Sequence, residues 1–297
     1  MRIVFFGTPP FAVPSLDAVA RAHEIALVVA QPDKPAGRGM KLRSPAVAMR
    51  ARELGLPVAQ PAKIRDAAFL ESIAALRPDT GIVIAYGKIL PAALLAIPAL
   101  GFLNVHASLL PKYRGAAPIQ RAIQNGEMET GVTIMRVDEQ LDHGPILAVR
   151  KMAIDRDQHA PDVAAFLSRI GGEALMEVLA HNQAGARQDD SQATLAPKIE
   201  KDEGLVNWNE EAVGIYNKFR AFDPWPGLFT PDFKIIDMDW DPPYWGEAGT
   251  IMSAEGVVFV ATGHGAVKLI QLQRPGKPPV SAGEFARAAG WRVGSRL

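Results

Sequence analysis

The feature that most constrains this chain is an alternation, through its first half, of short apolar runs with segments of helical pattern. The apolar runs, at residues 3–6, 25–29, 82–85 and 102–106, have the length of strands. Between them, residues 44–55 begin with a Ser cap followed by Pro and end at Gly, which is typical of a helix. This order predicts an α/β fold, a doubly wound and mostly parallel sheet of Rossmann-like type. Ligands bind such sheets beyond the carboxyl ends of their strands.

The later sequence predicts a second, smaller domain. Strands at 130–135 and 146–149 and a helix at 162–180 would complete the first domain, although the pair Gly171-Gly172 weakens that helix. Beyond a polar stretch without periodicity, Asn209 can cap a short helix, and strands follow at 250–253, 257–261 and 266–273. Short strands with Gly-containing turns predict a β-barrel of the OB-like kind. We therefore expect an N-terminal domain at 1–184, a linker at 185–204 and a C-terminal barrel at 205–297.

Composition excludes several classes of function. The chain has no cysteine, which rules out disulfides, thiolate metal sites and a cysteine nucleophile. Lys and Arg together number 32, as do Asp and Glu, so any affinity for nucleic acid must come from local clusters of charge. No uncharged run reaches the roughly 18 residues of a membrane span, and no signal-peptide pattern follows Met1. We expect a cytoplasmic protein without membrane contact.

The loop after the first strand argues against a dinucleotide site. Its sequence, Gly7-Thr-Pro-Pro-Phe11, lacks the second and third glycines of the Rossmann fingerprint, and its prolines remove backbone N–H donors that a pyrophosphate needs. Neither a GxxxxGK[ST] phosphate loop nor an HExxH zinc helix occurs in the sequence. We therefore expect no metal in the site.

The stretch at residues 101–118 carries the strongest sign of catalysis. Asn104 and His106 are two apart on a predicted strand, so their side chains share one face near its carboxyl end. An amide donor beside an imidazole suits a reaction in which a carbonyl oxygen becomes an oxyanion. Asp142, in a Gly-containing loop, could keep the imidazole charged and accept a proton from an attacking amine. Asp138 and Glu139 are expected to be solvated loop charges, and His143 either an exposed turn residue or a group that supports the site.

These motifs resemble those of the methionyl-tRNA formyltransferases, within the folate-dependent formyltransferase family, from end to end of the chain. The matching segments are 6–13, 31–42, 60–61, 104–111, 114–119, 141–142, 198–199 and 220–227. The resemblance implies that the donor is 10-formyltetrahydrofolate and that the catalytic trio is Asn104, His106 and Asp142. It further implies a folate site at Ser108, Leu109, Leu110 and Pro111. Because the turn with Tyr86, Gly87 and Ile89 follows a strand at the same edge of the predicted sheet, we expect it to contribute to that site.

The acceptor must be inferred from other features, because glycinamide ribonucleotide and sugar N-formyltransferases share the N-terminal signature. Between positions 33 and 52 the sequence contains six basic residues and a single acid, Asp33. In the resembled family this loop enters the acceptor end of tRNA, which implies tRNA contacts from Lys34, Arg38, Lys41 and Arg43. A second basic cluster, suited to a phosphate backbone, consists of Lys268, Arg274, Lys277, Arg287, Arg292 and Arg296 against Glu284. We predict that the partner is initiator methionyl-tRNA and that the protein is a monomer.

One departure from the resembled family concerns the catalytic loop. Many members carry Thr-Gly-Asp after the catalytic Asp, whereas this chain has His143-Gly144-Pro145, which leaves the shape of the acceptor pocket open. Two rival functions also stay open. A sugar N-formyltransferase is disfavoured by the basic loop, and a non-catalytic RNA-binding module is disfavoured by the complete trio.

Overall fold

The computed structural model describes residues 1–36, 41–181, 184–241 and 246–297. The chain forms two compact units, each built from three segments. The first contains Met1–Pro118, Glu129–Ala153 and Val163–Pro197, and the second contains Ile119–Met128, Ile154–Asp162 and Lys198–Leu297. Among the described residues, no helix is long and apolar enough to cross a membrane.

The secondary structure follows the chain in this order. The strands are β1 (Arg2–Gly7), β2 (Glu24–Val29), β3 (Lys34–Ala36), β4 (Lys41–Arg43), β5 (Val58–Ala59), β6 (Thr80–Ile84), β7 (Phe102–His106), β8 (Arg114–Gly115), β9 (Glu129–Arg136), β10 (Ile146–Ala153), β11 (Leu195–Ala196), β12 (Leu228–Phe229), β13 (Lys234–Asp241), β14 (Ile251–Ser253), β15 (Val258–Ala261), β16 (Ala266–Gln273) and β17 (Val280–Ser281). The helices are α1 (Val13–Ala22), α2 (Ala46–Glu53), α3 (Ala67–Ala75), α4 (Ala92–Leu95), α5 (Pro118–Gln124), α6 (Ala160–Ala180), α7 (Ala212–Ala221) and α8 (Ala282–Ala289). Short 3-10 helices lie at Pro10–Ala12, Asp190–Gln192 and Lys201–Gly204.

The first unit is organised around a seven-stranded sheet of order β10-β9-β7-β6-β1-β2-β5. Its five strands from β7 to β5 are parallel, while β9 runs antiparallel to β7 and β10 antiparallel to β9. The predicted, mostly parallel sheet is therefore confirmed. Because β1, β2, β6 and β7 share a direction, the loops that follow them emerge at one edge.

Helices cover both faces of this sheet because successive strand side chains alternate. On one face, Phe6 and Phe102 form a buried cluster with Ile73 of α3 and Leu94 of α4. On the other, α6 approaches β7 so closely that a Cβ added at Gly171 would lie 2.8 Å from Val105 Cγ1. The glycine that weakens the predicted helix is thus what allows its contact with the sheet.

Two predicted helix caps are wrong, although both helices exist. Ser44 does not cap α2, whose N-cap is Pro45; its hydroxyl donates to Asp33 Oδ2 at 2.9 Å and accepts from Arg52 at 3.1 Å. Asn209 does not cap α7, whose N-cap is Glu211 without a side-chain bond; Asn209 donates instead to Asn207 Oδ1. Both helices therefore begin later in the chain than the predicted caps would place them.

The second unit contains a six-stranded antiparallel sheet in which β12, β13, β16, β15 and β14 follow one another and β17 also pairs with β16. Predicted strand 266–273 coincides with β16. Helix α8 begins with a capping box between Ser281 and Glu284 and buries Phe285. The ring of Phe285 lies 5.3 Å from that of Phe233 and 5.1 Å from that of Trp291, measured between centroids. An antiparallel sheet domain is therefore present, and its OB-like closure stays a prediction.

Candidate active site

Strand β7 carries two polar side chains to the ligand-binding edge of the sheet. Asn104 and His106 share one face of the strand, and the intervening Val105 is buried on the other. Asp142 lies in the loop between β9 and β10, the two antiparallel strands beside β7. The structure therefore brings together the three residues that the sequence predicts as catalytic.

His106 is held with a defined orientation of its ring. Its side chain is buried, and Nε2 lies 2.9 Å from the backbone oxygen of Tyr113. A carbonyl oxygen can only accept a hydrogen bond, so Nε2 must carry the proton. The other nitrogen, Nδ1, then faces Asp142, with 3.7 Å between Nδ1 and Oδ2.

Asp142 is the shared neighbour of both strand residues. Its Oδ2 accepts a 2.8 Å hydrogen bond from the Gly115 N–H, and its Oδ1 lies 3.4 Å from Asn104 Nδ2. The contacts to Asn104 and His106 are longer than the roughly 2.9 Å of a well-formed bond, and catalytic bonds often tighten only when substrate arrives. Neither nitrogen is therefore committed to a short bond with Asp142, which keeps its anchor on Gly115.

The backbone of Asp142 is in an uncommon conformation. Its φ is 46°, in the left-handed region that few residues other than glycine adopt. Gln188 Nε2 donates to the carbonyls on this turn, at 2.9 Å to Asp142 O and 2.8 Å to Gly144 O. Gly144 is the residue that fits here, since an added Cβ would lie 2.0 Å from Arg136 O. Gln188 falls in the predicted linker, where the sequence has no periodicity or motif that could have identified it.

His143 supports the catalytic loop. Of the two alternatives left by the sequence, an exposed turn residue or a supporting group, the structure favours the supporting group. Its Nδ1 lies 2.7 Å from Asp138 Oδ2, and its Nε2 lies 3.3 Å from Asp190 Oδ2. The hydrogen bond to Asp138 is the main cause that raises the pKa of His143, and Asp190 adds to it. Asp138 is half-buried and paired with His143, whereas Glu139 is exposed. In the part of the chain that the structure describes, no group of three or more His, Asp or Glu side chains could hold a metal ion.

The segment predicted to bind folate through residues 108–111 directly follows β7. Ser108 is buried and its hydroxyl donates to Lys112 O at 2.6 Å, while Leu110 N–H donates to Thr133 Oγ1 at 3.2 Å. Leu109 and Pro111 are half-buried. These contacts hold the loop from within, so a ligand here would meet its outer surface and backbone.

The second predicted folate segment, residues 86–89, follows the neighbouring parallel strand β6. The Tyr86 side chain is buried in the core against Phe6, and burial raises its pKa to about 12. Only its backbone is therefore available to a ligand. Gly87, with φ of 85° and open space where a Cβ would be, and Ile89, 74% exposed, form the accessible part of this turn.

The predicted basic loop follows β2 and forms a small antiparallel ribbon of β3 and β4. Lys34 and Arg43 are exposed and stand opposite each other in the register. For Lys41 only the backbone strand is described, and Arg38 lies outside the described residues. Asp33 anchors the base of the ribbon by accepting from Gln60 Nε2 at 2.6 Å and from Ser44, and these bonds lower its pKa.

Comparisons with known proteins match both halves of the chain. A family model described as formyl transferase matches residues 1–179, and one described as formyl transferase, C-terminal domain, matches residues 198–290. A methionyl-tRNA formyltransferase of Thermus thermophilus is 44% identical, over 100% of this chain and 99% of the relative. One of Methylococcus capsulatus is also 44% identical, over 99% and 100%. A sugar 3N-formyl transferase, solved with dTDP and 5-N-formyl-THF, shares the fold at TM-score 0.69 and 18% identity, covering 94% of this chain and 99% of its own.

Proposed function

This chain belongs to the formyl transferase family, and from that premise we propose that it transfers the formyl group of 10-formyltetrahydrofolate to the α-amine of methionyl-initiator-tRNA. The product is N-formylmethionyl-tRNA, which serves translation initiation. The observation that carries the proposal is the 44% identity to methionyl-tRNA formyltransferases over essentially the full chain. Likeness to a sugar formyltransferase at 18% identity reflects the fold alone.

The proposed chemistry is direct attack of the amine nitrogen on the formyl carbon. Negative charge develops on the formyl oxygen as the new C–N bond forms. Asn104 Nδ2 and a protonated His106 Nδ1 are the donors proposed to stabilise it, since each lies near Asp142 without a tight bond there. The C–N10 bond then breaks, and the folate nitrogen leaves with the proton that the amine has lost, returned to it from the His106–Asp142 pair.

Asp142 is proposed to orient His106 and to take the proton that the amine loses. Its carboxylate is 15% exposed and keeps one oxygen on the Gly115 N–H, which fixes its direction. A carboxylate fixed in this way is placed to accept a hydrogen bond from the imidazole and a proton from the amine. The geometry therefore supports a single proton path between the amine and the His106–Asp142 pair.

The folate is proposed to lie between the turns that follow β6 and β7. Both strands are parallel neighbours, so residues 85–87 and 108–111 emerge at the same edge. Ala85 and Gly87 are exposed and have positive φ, so this turn is open to a ligand. Backbone donors and acceptors of this kind suit the edges of a pteridine.

The tRNA is proposed to contact the β3–β4 ribbon through Lys34, Arg38, Lys41 and Arg43. Like charges directly opposite each other destabilise a pair of strands, and Lys34 stands opposite Arg43. A phosphate placed between them would remove that repulsion. Further phosphate contacts are proposed for the exposed cations of the second unit, Arg274, Lys277, Arg287 and Arg292.

A monomer is proposed to be the active form, since the catalytic trio and the β3–β4 ribbon belong to the same unit of one chain.

The test is an acceptor comparison with labelled 10-formyltetrahydrofolate. Methionyl-initiator-tRNA, glycinamide ribonucleotide and a nucleotide-linked amino sugar are offered separately at equal concentration. We expect kcat/KM to be highest for the tRNA by at least about 100-fold, because only the tRNA can engage the basic ribbon. A higher kcat/KM for the amino sugar would replace the proposed acceptor, and no transfer to any of the three would overturn the reaction itself.

A further inference from the structure

The segment at residues 186–196, which we name the clamp segment, contacts both loops that hold the catalytic side chains. Its Ala186 forms an antiparallel bridge with Ile146, just after the Asp142 loop. Its strand β11 pairs with β8, next to the N–H that anchors Asp142. Residues that the sequence predicts as a linker thus support the site.

Each loop contains a residue other than glycine with positive φ, and each such residue is bonded to the clamp segment. Asp142 has φ of 46°, and its carbonyl accepts from Gln188. Tyr113 has φ of 62°, and its N–H donates to Thr194 Oγ1 at 2.8 Å. The carbonyl of the same Tyr113 accepts from His106. Left-handed residues of this kind persist only where their surroundings hold them.

Gln188 is itself held by its own partner. Arg114 Nη2 donates to Gln188 Oε1 at 2.7 Å and also to Asp190 Oδ1 at 2.7 Å. With its oxygen engaged by Arg114, the side-chain amide must present its NH2 group to the Asp142 turn, which fixes the direction of the amide. A single half-buried side chain therefore joins the Asp142 and Gly144 carbonyls to the loop that bears Arg114 and Gly115.

We propose that Gln188 is a positioning residue for catalysis, which fixes the backbone of Asp142 so that its carboxylate stays beside His106 and Asn104. This inference rests on the proposed function for its kinetic consequence. Gln188 does not touch the reacting atoms. It acts through the Asp142 carbonyl, and its removal is expected to lower the rate of the chemical step and not the affinity for either substrate.

The decisive variant is Gln188→Glu, with Gln192→Glu as its matched control. Glutamate keeps an acceptor for Arg114, but its carboxylate loses both hydrogen bonds to the Asp142 turn and is repelled by the two carbonyl oxygens. Gln192 lies in the same segment, and its side chain donates within that segment, to Asp189 Oδ2 at 2.7 Å. For Gln188→Glu we expect kcat to fall by about 10-fold or more, with KM for the tRNA and the folate changed by less than about twofold.

A second readout is hydrogen exchange of residues 138–146 in the free protein. We expect faster exchange there in Gln188→Glu and parent-like exchange in Gln192→Glu. Parent-like kcat and exchange in Gln188→Glu, or equal damage in both variants, would overturn the inference. Gln188→Met, similar in size but without donors, provides the same comparison if the glutamate variant does not fold. A parent protein that formylates none of the acceptors would refute the proposed function, and exchange would still decide whether Gln188 holds the loop.

Discussion

The chemistry of single side chains here depends on where the proton of His106 resides. Because Nε2 donates to the Tyr113 carbonyl, only Nδ1 is free to gain or lose a proton during turnover. That nitrogen faces the carboxylate of Asp142, which can accept a charge-assisted hydrogen bond from it. The negative charge of the Asp142 side chain should therefore contribute more to the rate than the shape of that side chain.

Replacement of Asp142 by asparagine separates charge from shape. Asp142→Asn keeps an oxygen that can accept from Gly115 but removes the negative charge beside His106. We expect kcat to fall by about 100-fold or more with tRNA binding nearly unchanged, measured by steady-state kinetics and a binding assay. Glu139→Gln, which neutralises an exposed acid on the same loop, should leave both quantities at the parent level. An equal reduction of binding and of rate would contradict the assignment.

His143 predicts a pH dependence of the catalytic loop. Its bond to Asp138 raises its pKa above that of a free histidine, so His143 is more readily protonated in the folded state. The stabilisation it gives is fully present below the ordinary histidine pKa of about 6.5 and is lost as pH rises through the raised pKa. The charged groups around it are Asp138 and Asp190, with Arg114 on the far side of Asp190.

Proton NMR of the His143 ring tests this prediction. The titration midpoint should lie above that of an unperturbed histidine in the parent protein and should fall in Asp138→Asn, since the largest cause of the shift is then removed. A midpoint for His143 at or below the ordinary value would show that the pair with Asp138 does not form in solution.

Helix α6 illustrates how a glycine shapes the approach of an element to the sheet. Gly171→Ala would place a Cβ 2.8 Å from Val105, directly behind the strand that carries Asn104 and His106. We expect the free energy of unfolding to fall by about 1–3 kcal/mol, as is typical of overpacking, in urea denaturation. Helical Gly214 is the control, since its Cβ would meet nothing within 4 Å. Gly214→Ala should raise stability by about 0.5–1 kcal/mol, and the opposite order of the two variants would disprove the packing account.

Elements with a strong period could be predicted from the sequence. Residues 102–106 and 266–273 match β7 and β16 because their apolar and β-branched side chains specify both type and length. Asn104 and His106 followed from their spacing on one strand and Asp142 was a candidate from its loop, but the resemblance implied that the three form one catalytic trio. The role of the clamp segment could not be predicted. The hydrogen bonds of Gln188 and Thr194 are made with loops distant in sequence, and such bonds produce no periodic pattern.

Across the entire chain, cations and anions balance, so attraction to RNA must be local. Substituting Lys34, Arg38 and Lys41 together by alanine should flatten the salt dependence of tRNA binding by about 0.7–0.9 of log slope for each phosphate interaction that is removed. It should also lower kcat/KM for the tRNA while leaving slow formylation of a small amine unchanged. Binding curves over a series of salt concentrations provide the measurement.

A control of equal charge change is available for that experiment. Arg150, Lys151 and Arg169 already pair with Glu177, Glu129 and Glu173, so replacing them by alanine alters net charge equally at a distant part of the surface. The control variant should retain the parent's log slope. If the ribbon variant also retains it and formylates tRNA like the parent, the ribbon is a solvated surface and a sugar acceptor becomes the better hypothesis.

The discontinuity of the second unit bears on how the chain acquires its structure during synthesis. Segments 119–128 and 154–162 leave the ribosome well before the partners that they need: Asp157 bonds Tyr216 at 3.1 Å, and the Gln158 carbonyl accepts from the buried Arg220 at 3.0 Å. We expect these early segments to stay exposed until residues 198–297 have emerged, because their partners have not yet been synthesised. A nascent chain halted before that point should contain the strands of the first sheet and two segments that lack their partners. We expect a chaperone to bind to these two segments.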